Sequence, residues 1–219
     1  MKIMFKGCKS LISLNLGKFK NDIVEDMSEM FEECSSLTSL DLSEFYSVRA
    51  YTMKSMFKGC ESLISIDLFN FNTKFVKDMS GMFEGCTNLT NANLNKFDTS
   101  NVTTMSNMFA GCKSLTSIYL YNFRADSLED MDYMFKECLS LTSIDLSNFN
   151  AKNIEKMTGV FEICPSLQYI DVSSFICSID KTIYLSDFQA NTGVLIINEN
   201  FYKKLQVKPN NNWTKILNK

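Results

Sequence analysis

Apolar residues return along this chain in a fixed order. Met27, Met30, Phe31 and Cys34 fall at i, i+3, i+4 and i+7, which is the spacing of one face of a short helix. Leu37 follows, and Leu40 and Leu42 then alternate with polar neighbours around Asp41, which is strand periodicity. Phe45 and Ala50 close the unit, with polar, variable residues between them as in a loop. The same order begins again at Met53. Cys8, Cys34, Cys60, Cys86, Cys112, Cys138 and Cys164 hold a spacing of 26 residues without an insertion or deletion, and Phe5, Phe31, Phe57, Phe83, Phe109, Phe135 and Phe161 precede them by three. A fixed period of this length marks a stacked repeat protein.

Each unit is thus expected to hold a helix of about two turns and a short strand. Asp26, Thr52, Asp78, Thr104 and Asp130 stand just before the helical face and suit the N-cap, because a side-chain oxygen there accepts a backbone N–H. Glu29 is placed to complete a capping box with Asp26. Gly7, Gly59, Gly85 and Gly111 stand where the helical turn should end. Burial within one unit and the entropy of ordering it are of similar size, so one unit cannot fold alone. Stacking on neighbours supplies the missing burial.

The expected fold class is therefore an α/β repeat solenoid, with one short parallel strand and one short helical turn per 26-residue repeat. About seven such units fill residues 1–176. Residues 177–219 leave the period. Within them YLSDF and GVLIINENF read as strands, and VKPNNNWTKIL holds the single tryptophan. This segment is expected to cap the last repeat with Ile196, Phe201 and Trp213. Met1 is already in register, so the chain reads as starting inside a repeat, as a fragment or truncated gene product would.

Composition narrows the function. The formal net charge is −3, which offers no basic footprint for nucleic acid. Histidine is absent, which removes histidine bases, triads and metal ligands. No apolar run reaches the length of a membrane span, and the first ten residues do not read as a signal peptide. Periodic uniformity gives no pocket of convergent, tuned groups, so no enzyme and no cofactor are expected.

The cysteine ladder is read as buried, reduced packing, because free cysteine behaves as a small hydrophobe. A bridge involving Cys177, outside the period, and a bound metal are the alternatives; no Cys-x-x-Cys spacing supports the metal. All thirteen methionines occupy the first two apolar positions of the unit and read as core. Specificity is then left to the outward strand positions. Asn15, Asp41, Asp67, Asn93, Tyr119, Asp145 and Asp171 lie between the two strand apolars, and Phe69 and Tyr121 lie two residues past that column. Paired carboxylates Asp41 with Asp67, and Asp145 with Asp171, repel across adjacent strands and would welcome a cation or basic partner. Phe69, Tyr119 and Tyr121 are candidate contact anchors. The competing reading of all seven residues is a solvated face.

Leu37, Leu40, Leu42 and Phe45 resemble the leucine-rich repeat core, with phenylalanine in the usual asparagine place. The longer string Met-x-x-Met-Phe-x-Gly-Cys-x-Ser-Leu-Thr-Ser-Leu-Asp-Leu-Ser-x-Phe resembles the 26-residue repeat of the BspA-like and Mycoplasma-type bacterial surface proteins, and Phe97 to Thr103 looks like the consensus end of that repeat. The resemblance spans Met1 to about Phe175. It implies a leucine-rich-repeat-like solenoid on a cell surface or secreted, in adhesion or binding to a protein or glycan through a concave sheet. A structural spacer without a ligand of its own is the alternative. The resemblance brings no catalytic residues.

Overall fold

The computed structural model describes residues 1–17, 23–46, 48–175, 192–204 and 212–218. Seven coils begin at Met1, Met27, Met53, Met79, Met105, Met131 and Met157 and stack in register. Their short strands are β1 (Ser13–Asn15), β2 (Ser39–Asp41), β3 (Ser65–Asp67), β4 (Asn91–Asn93), β5 (Ser143–Asp145) and β6 (Tyr169–Val172). β7 (Gly193–Asn198), α1 (Glu199–Lys204) and β8 (Trp213–Asn218) follow. Every pairing is parallel, and within the repeats Ser13 faces Ser39, Ser65 faces Asn91 and Ser143 faces Tyr169. The fold is a leucine-rich-repeat-like solenoid.

One continuous core runs through the stack, built from the Met, Phe, Cys and Leu columns that the period picks out. The inner phenylalanines stack face to face from Phe5 to Phe161, with ring centres 5.3 to 5.8 Å apart. A second column, Phe45, Phe71, Phe97, Phe123, Phe149 and Phe175, follows the strands in each coil and is equally buried in the same core. Buried Thr73 and Thr99 are satisfied across coils: Thr73 Oγ1 donates to the Asp98 carbonyl at 2.9 Å and accepts from its N–H at 2.7 Å.

The expected two-turn helix is instead a run of tight turns. Its third residue (Glu29, Ser55, Gly81, Asn107) and its seventh (Glu33, Gly59, Gly85, Gly111) have positive φ, between 53° and 75°. These flips send alternate N–H groups out of the coil. Glu29, Phe31 and Glu33 donate to the carbonyls of Lys54, Met56 and Lys58 at 2.8, 2.9 and 2.7 Å. An α-helix would keep those donors for itself. The stack therefore zips its coils together by backbone bonds on the turn side as well as the strand side. The apolar spacing is the same for both conformations, so the side chains still face inward. Asp26, Asp78 and Asp130 do cap the segment, each accepting the N–H two residues on at 2.8 to 3.0 Å. Glu29 does not complete a capping box; it pairs with Lys6 of the preceding coil.

The left-handed residues carry a cost of roughly 1–2 kcal/mol when they are not glycine. Glycine supplies the seventh place in four coils, and Glu137 holds it at φ 58° in the sixth. Glu137→Gly is expected to stabilise the protein by up to about 1 kcal/mol, after the greater freedom of glycine in the unfolded chain is subtracted. The urea midpoint reads this directly. A lower midpoint would place that residue outside the left-handed region.

Beyond the repeats, β7 pairs with β6 and β8 with β7. The inward residues of β7 are Leu195 and Ile197, not Ile196, which is half-buried. Ile170 faces Leu195 and Val172 faces Ile197. Glu199–Lys204 is helix rather than strand. Phe201 is buried and sets its ring edge against Phe175 at 5.6 Å, and Trp213 is buried as well. YLSDF and Cys177 lie outside the described residues.

Candidate functional site

The outward face of the strands is built by a single local device. Each Asx residue at the centre of the face accepts the N–H two residues on. Gly17 donates to Asn15, Ser43 to Asp41, Phe69 to Asp67, Ser147 to Asp145 and Ser173 to Asp171, at 2.8 to 3.0 Å. These side chains thus turn the chain at the end of each strand. The Asp41 carboxyl is held below its ordinary value, first by the Ser43 N–H and then by its hydroxyl.

Amides join the column across coils. Asn15 Nδ2 donates to Asp41 at 2.9 Å, and Asn93 Nδ2 donates to Asp67 at 2.9 Å. The strand ladder follows these pairs. β1 pairs with β2 and β3 with β4, and the ladder stops between β2 and β3, where Asp41 and Asp67 stand side by side. Like charges directly opposite each other weaken a pair, but they do not decide it alone, since Asp145 and Asp171 face each other in an intact ladder. The sheet also stops at the fifth coil, where Tyr119 occupies the Asx place and has no side-chain acceptor to make the turn. Among the described residues the expected single sheet is therefore three, of two, two and four strands. Asp145 and Asp171 keep their register in the last of them.

Where β2 and β3 part, a cleft of about 290 Å³ opens, lined by Asp41, Ser43, Asp67, Phe69 and Asn70. Phe69 is 47% exposed, and the Lys96 ammonium lies 5.2 Å from its ring centre. Tyr119 is 73% and Tyr121 58% exposed. Asp41, Asp67 and Asp145 are exposed, whereas Asp171 is buried. Asp171 lies beside Tyr169, an aromatic of the same face that the sequence reading passed over. Burial pushes the Tyr169 hydroxyl above its ordinary value, with the Asp171 and Asp145 charges and a hydrogen bond to Asp171 adding to the shift. Its outward place on β6, where the other coils carry serine or asparagine, was the available signal.

A second depression, of about 760 Å³, runs along the turn side over Gly59, Gly85 and Gly111. The repeated glycine was its sequence signal. A Cβ on Gly111 would sit 3.4 Å from the Gly85 Cα, so glycine lets the coils approach there. Their N–H groups are all used, on the carbonyls of Glu84, Ala110 and Lys136 at 2.7 Å. Flanking Lys58 and Lys136 pair with Glu84 and Glu162, leaving a charge-balanced furrow.

The cysteine column is tied to its neighbours through sulfur. Each Sγ from Cys34 to Cys164 donates to the phenylalanine carbonyl 29 residues earlier, at 3.0 to 3.3 Å. The seven described cysteines are free thiols. Burial pushes the Cys34 thiol up to about 11 and those of Cys86 and Cys164 to about 12, with Cys60, Cys112 and Cys138 shifted the same way. Thiolate is the reactive form, so these six are inert in the folded state. Cys8 is exposed. In a Cys177→Ser background, native labelling with a thiol reagent is expected to modify Cys8 alone and denaturation to release six more; rapid native labelling of the six would contradict the buried column. No group of three or more metal-binding side chains occurs among the described residues.

The family model described as "Mycoplasma protein of unknown function, DUF285" matches residues 1–92 and 52–175. The chain belongs to this family. The DUF285 match covers the seven coils and ends where the period ends. The Mycoplasma-type resemblance of the 26-residue string is thereby confirmed. No curated protein matches the chain. Among solved structures, a leucine-rich repeat protein from Bacteroides ovatus is 17% identical with a TM-score of 0.33; the match covers 100% of this chain and 63% of that one. This DUF285 chain thus spans less than two thirds of that protein's length. Among the described residues no helix is long and apolar enough to cross a membrane.

Proposed function

We propose that this chain is a non-catalytic binding module of a bacterial surface or secreted protein, and that its strand face takes a protein or glycan partner. The observation that carries this reading is the exposure of Phe69, Tyr119 and Tyr121 on a face whose other outward places hold Ser, Asn and Asp, with Gly17 and the half-buried Tyr169. Large aromatics on such a background are the residue type enriched at binding hot spots. The two phenylalanine columns supply a rigid support for them. Residues 1–176 form the module in this reading, and residues 177–219 act as its cap. A spacer without a ligand is the second reading, favoured by the structural duty of the Asx column.

Substitution of Tyr119 and Tyr121 by serine separates the two. Captured matrix protein or cell-surface glycan is expected to fall, with the circular dichroism spectrum unchanged. Capture equal to that of the unsubstituted chain would remove the aromatic face from the function. No capture by the unsubstituted chain would favour the spacer.

A further inference from the structure

From the third coil onward the aromatics of the strand face occupy every second coil; the first coil carries none. Phe69 stands in the third coil, Tyr119 and Tyr121 in the fifth and Tyr169 in the seventh, while the second, fourth and sixth carry only Ser, Asn and Asp at the same three outward places. Phe69 and Tyr121 hold the same place within their coils, and Tyr119 and Tyr169 step sideways from it by two and four residues. Together they mark a diagonal track. Neighbouring coils lie about 5 Å apart, as parallel strands do, so the platforms Phe69 and Tyr121 stand about 10 Å apart, and the four-residue side step sets Tyr169 about 16 Å from Tyr121.

Resting on the binding-module reading, we propose that this track binds an extended, neutral, β-linked oligosaccharide whose rings lie on Phe69 and Tyr121. Three observations select that chemistry. The first is the spacing. A fully extended peptide repeats its same-face side chains about every 6.7 Å and does not match the interval between Phe69 and Tyr121. Two pyranose rings of an extended β-1,4-linked chain match the platform interval.

The second is hydrogen-bond polarity. A polyproline segment, with a repeat of about 9.3 Å, would also match the interval. It presents carbonyl acceptors, however, and this face is rich in acceptors itself: Asp41, Asp67 and Asp145 are exposed carboxylates. The amide donors of Asn15 and Asn93 are already spent on Asp41 and Asp67. A carboxylate has room for about four donors. Sugar hydroxyls supply donors, and the same carboxylates repel anionic glycans.

The third is the cleft of about 290 Å³ where β2 and β3 part. It sets Phe69, with the Lys96 ammonium over its ring, beside two carboxylates. An aromatic floor for the C–H face of a sugar and planar acceptors for its hydroxyls are what one pyranose needs.

The test is isothermal titration of the full chain with cellohexaose and with chitohexaose. Binding of either is expected, weakened about tenfold or more by Phe69→Ala and again by Tyr121→Ala, with the fold checked by circular dichroism. Disaccharides, which reach only one platform, are expected to bind more weakly than hexasaccharides. No binding of either hexasaccharide, or binding that neither substitution weakens, overturns the proposal. If the chain instead captures a proline-rich peptide or a matrix protein in a Tyr121-dependent way, the glycan assignment fails and the binding-module reading stands. If it captures neither sugar nor protein, both fail.

Discussion

Phe83→Ala is expected to lower the stability of the folded chain by about 3–5 kcal/mol, the range for removing a buried phenylalanine. Phe83 has no exposed surface, and its ring lies 5.5 Å from those of Phe57 and Phe109. The neighbours cannot close the hole easily. Backbone bonds from Phe57 to Met82 and from Phe83 to Met108, both 2.9 Å, fix the interval between coils. The top of the range is therefore favoured, because the cost rises with the cavity that remains. Phe69→Ala is the matched control. That ring is half in solvent, and its loss should change stability by no more than about 0.5 kcal/mol. Urea titration of both variants measures the difference. Equal losses would mean that the inner column is not the core.

The second large effect concerns register. Deleting residues 79–104 removes one whole coil and joins Asp78 to Met105, so every column continues. A shorter, cooperatively folded chain is expected, with a smaller dependence of stability on urea because less surface is exposed on unfolding. Deleting residues 79–91, half a coil, sets polar residues against the Phe and Cys columns and breaks the backbone bonds between coils on both sides. That variant is expected to lose its cooperative transition. Circular dichroism during a urea titration distinguishes the two. Equal behaviour would show that the coils do not depend on one another.

The period alone located almost all of the core. Cys, Phe, Met and Leu columns that recur without a slip can only be buried against copies of themselves. The Asx caps were legible too, because Asp26 and Asp78 stand just before the apolar run. The conformation of that run was not. Positions i, i+3, i+4 and i+7 face inward in an α-helix and equally in a string of turns, and the decision lies with Glu29 and Glu33, whose positive φ trades local strain for bonds to the next coil. A pattern of single residues does not show that trade. Repulsion between Asp41 and Asp67 was read from the sequence. That the ladder parts between Asp41 and Asp67, with a cleft beside Phe69, while the equivalent Asp145 and Asp171 stay paired, was not legible in the charges. Tyr169 was missed because it replaces a serine in the column farthest from the aromatics that drew attention. At the C-terminal end the register slipped by one residue, from Leu195 and Ile197 to Ile196, since a run of continuous apolar residues has no alternation to fix its inward side.

The stacking of equal coils carries everything above, from the inert thiols to the spacing of the aromatic track. A crystal structure of the chain tests it most directly through the sulfur positions. The expected result is a single row of six buried sulfurs, Cys34 to Cys164, each within about 3.3 Å of the carbonyl of the phenylalanine 29 residues before it. Sulfurs that leave that row, or that join one another in disulfides, would contradict the stack.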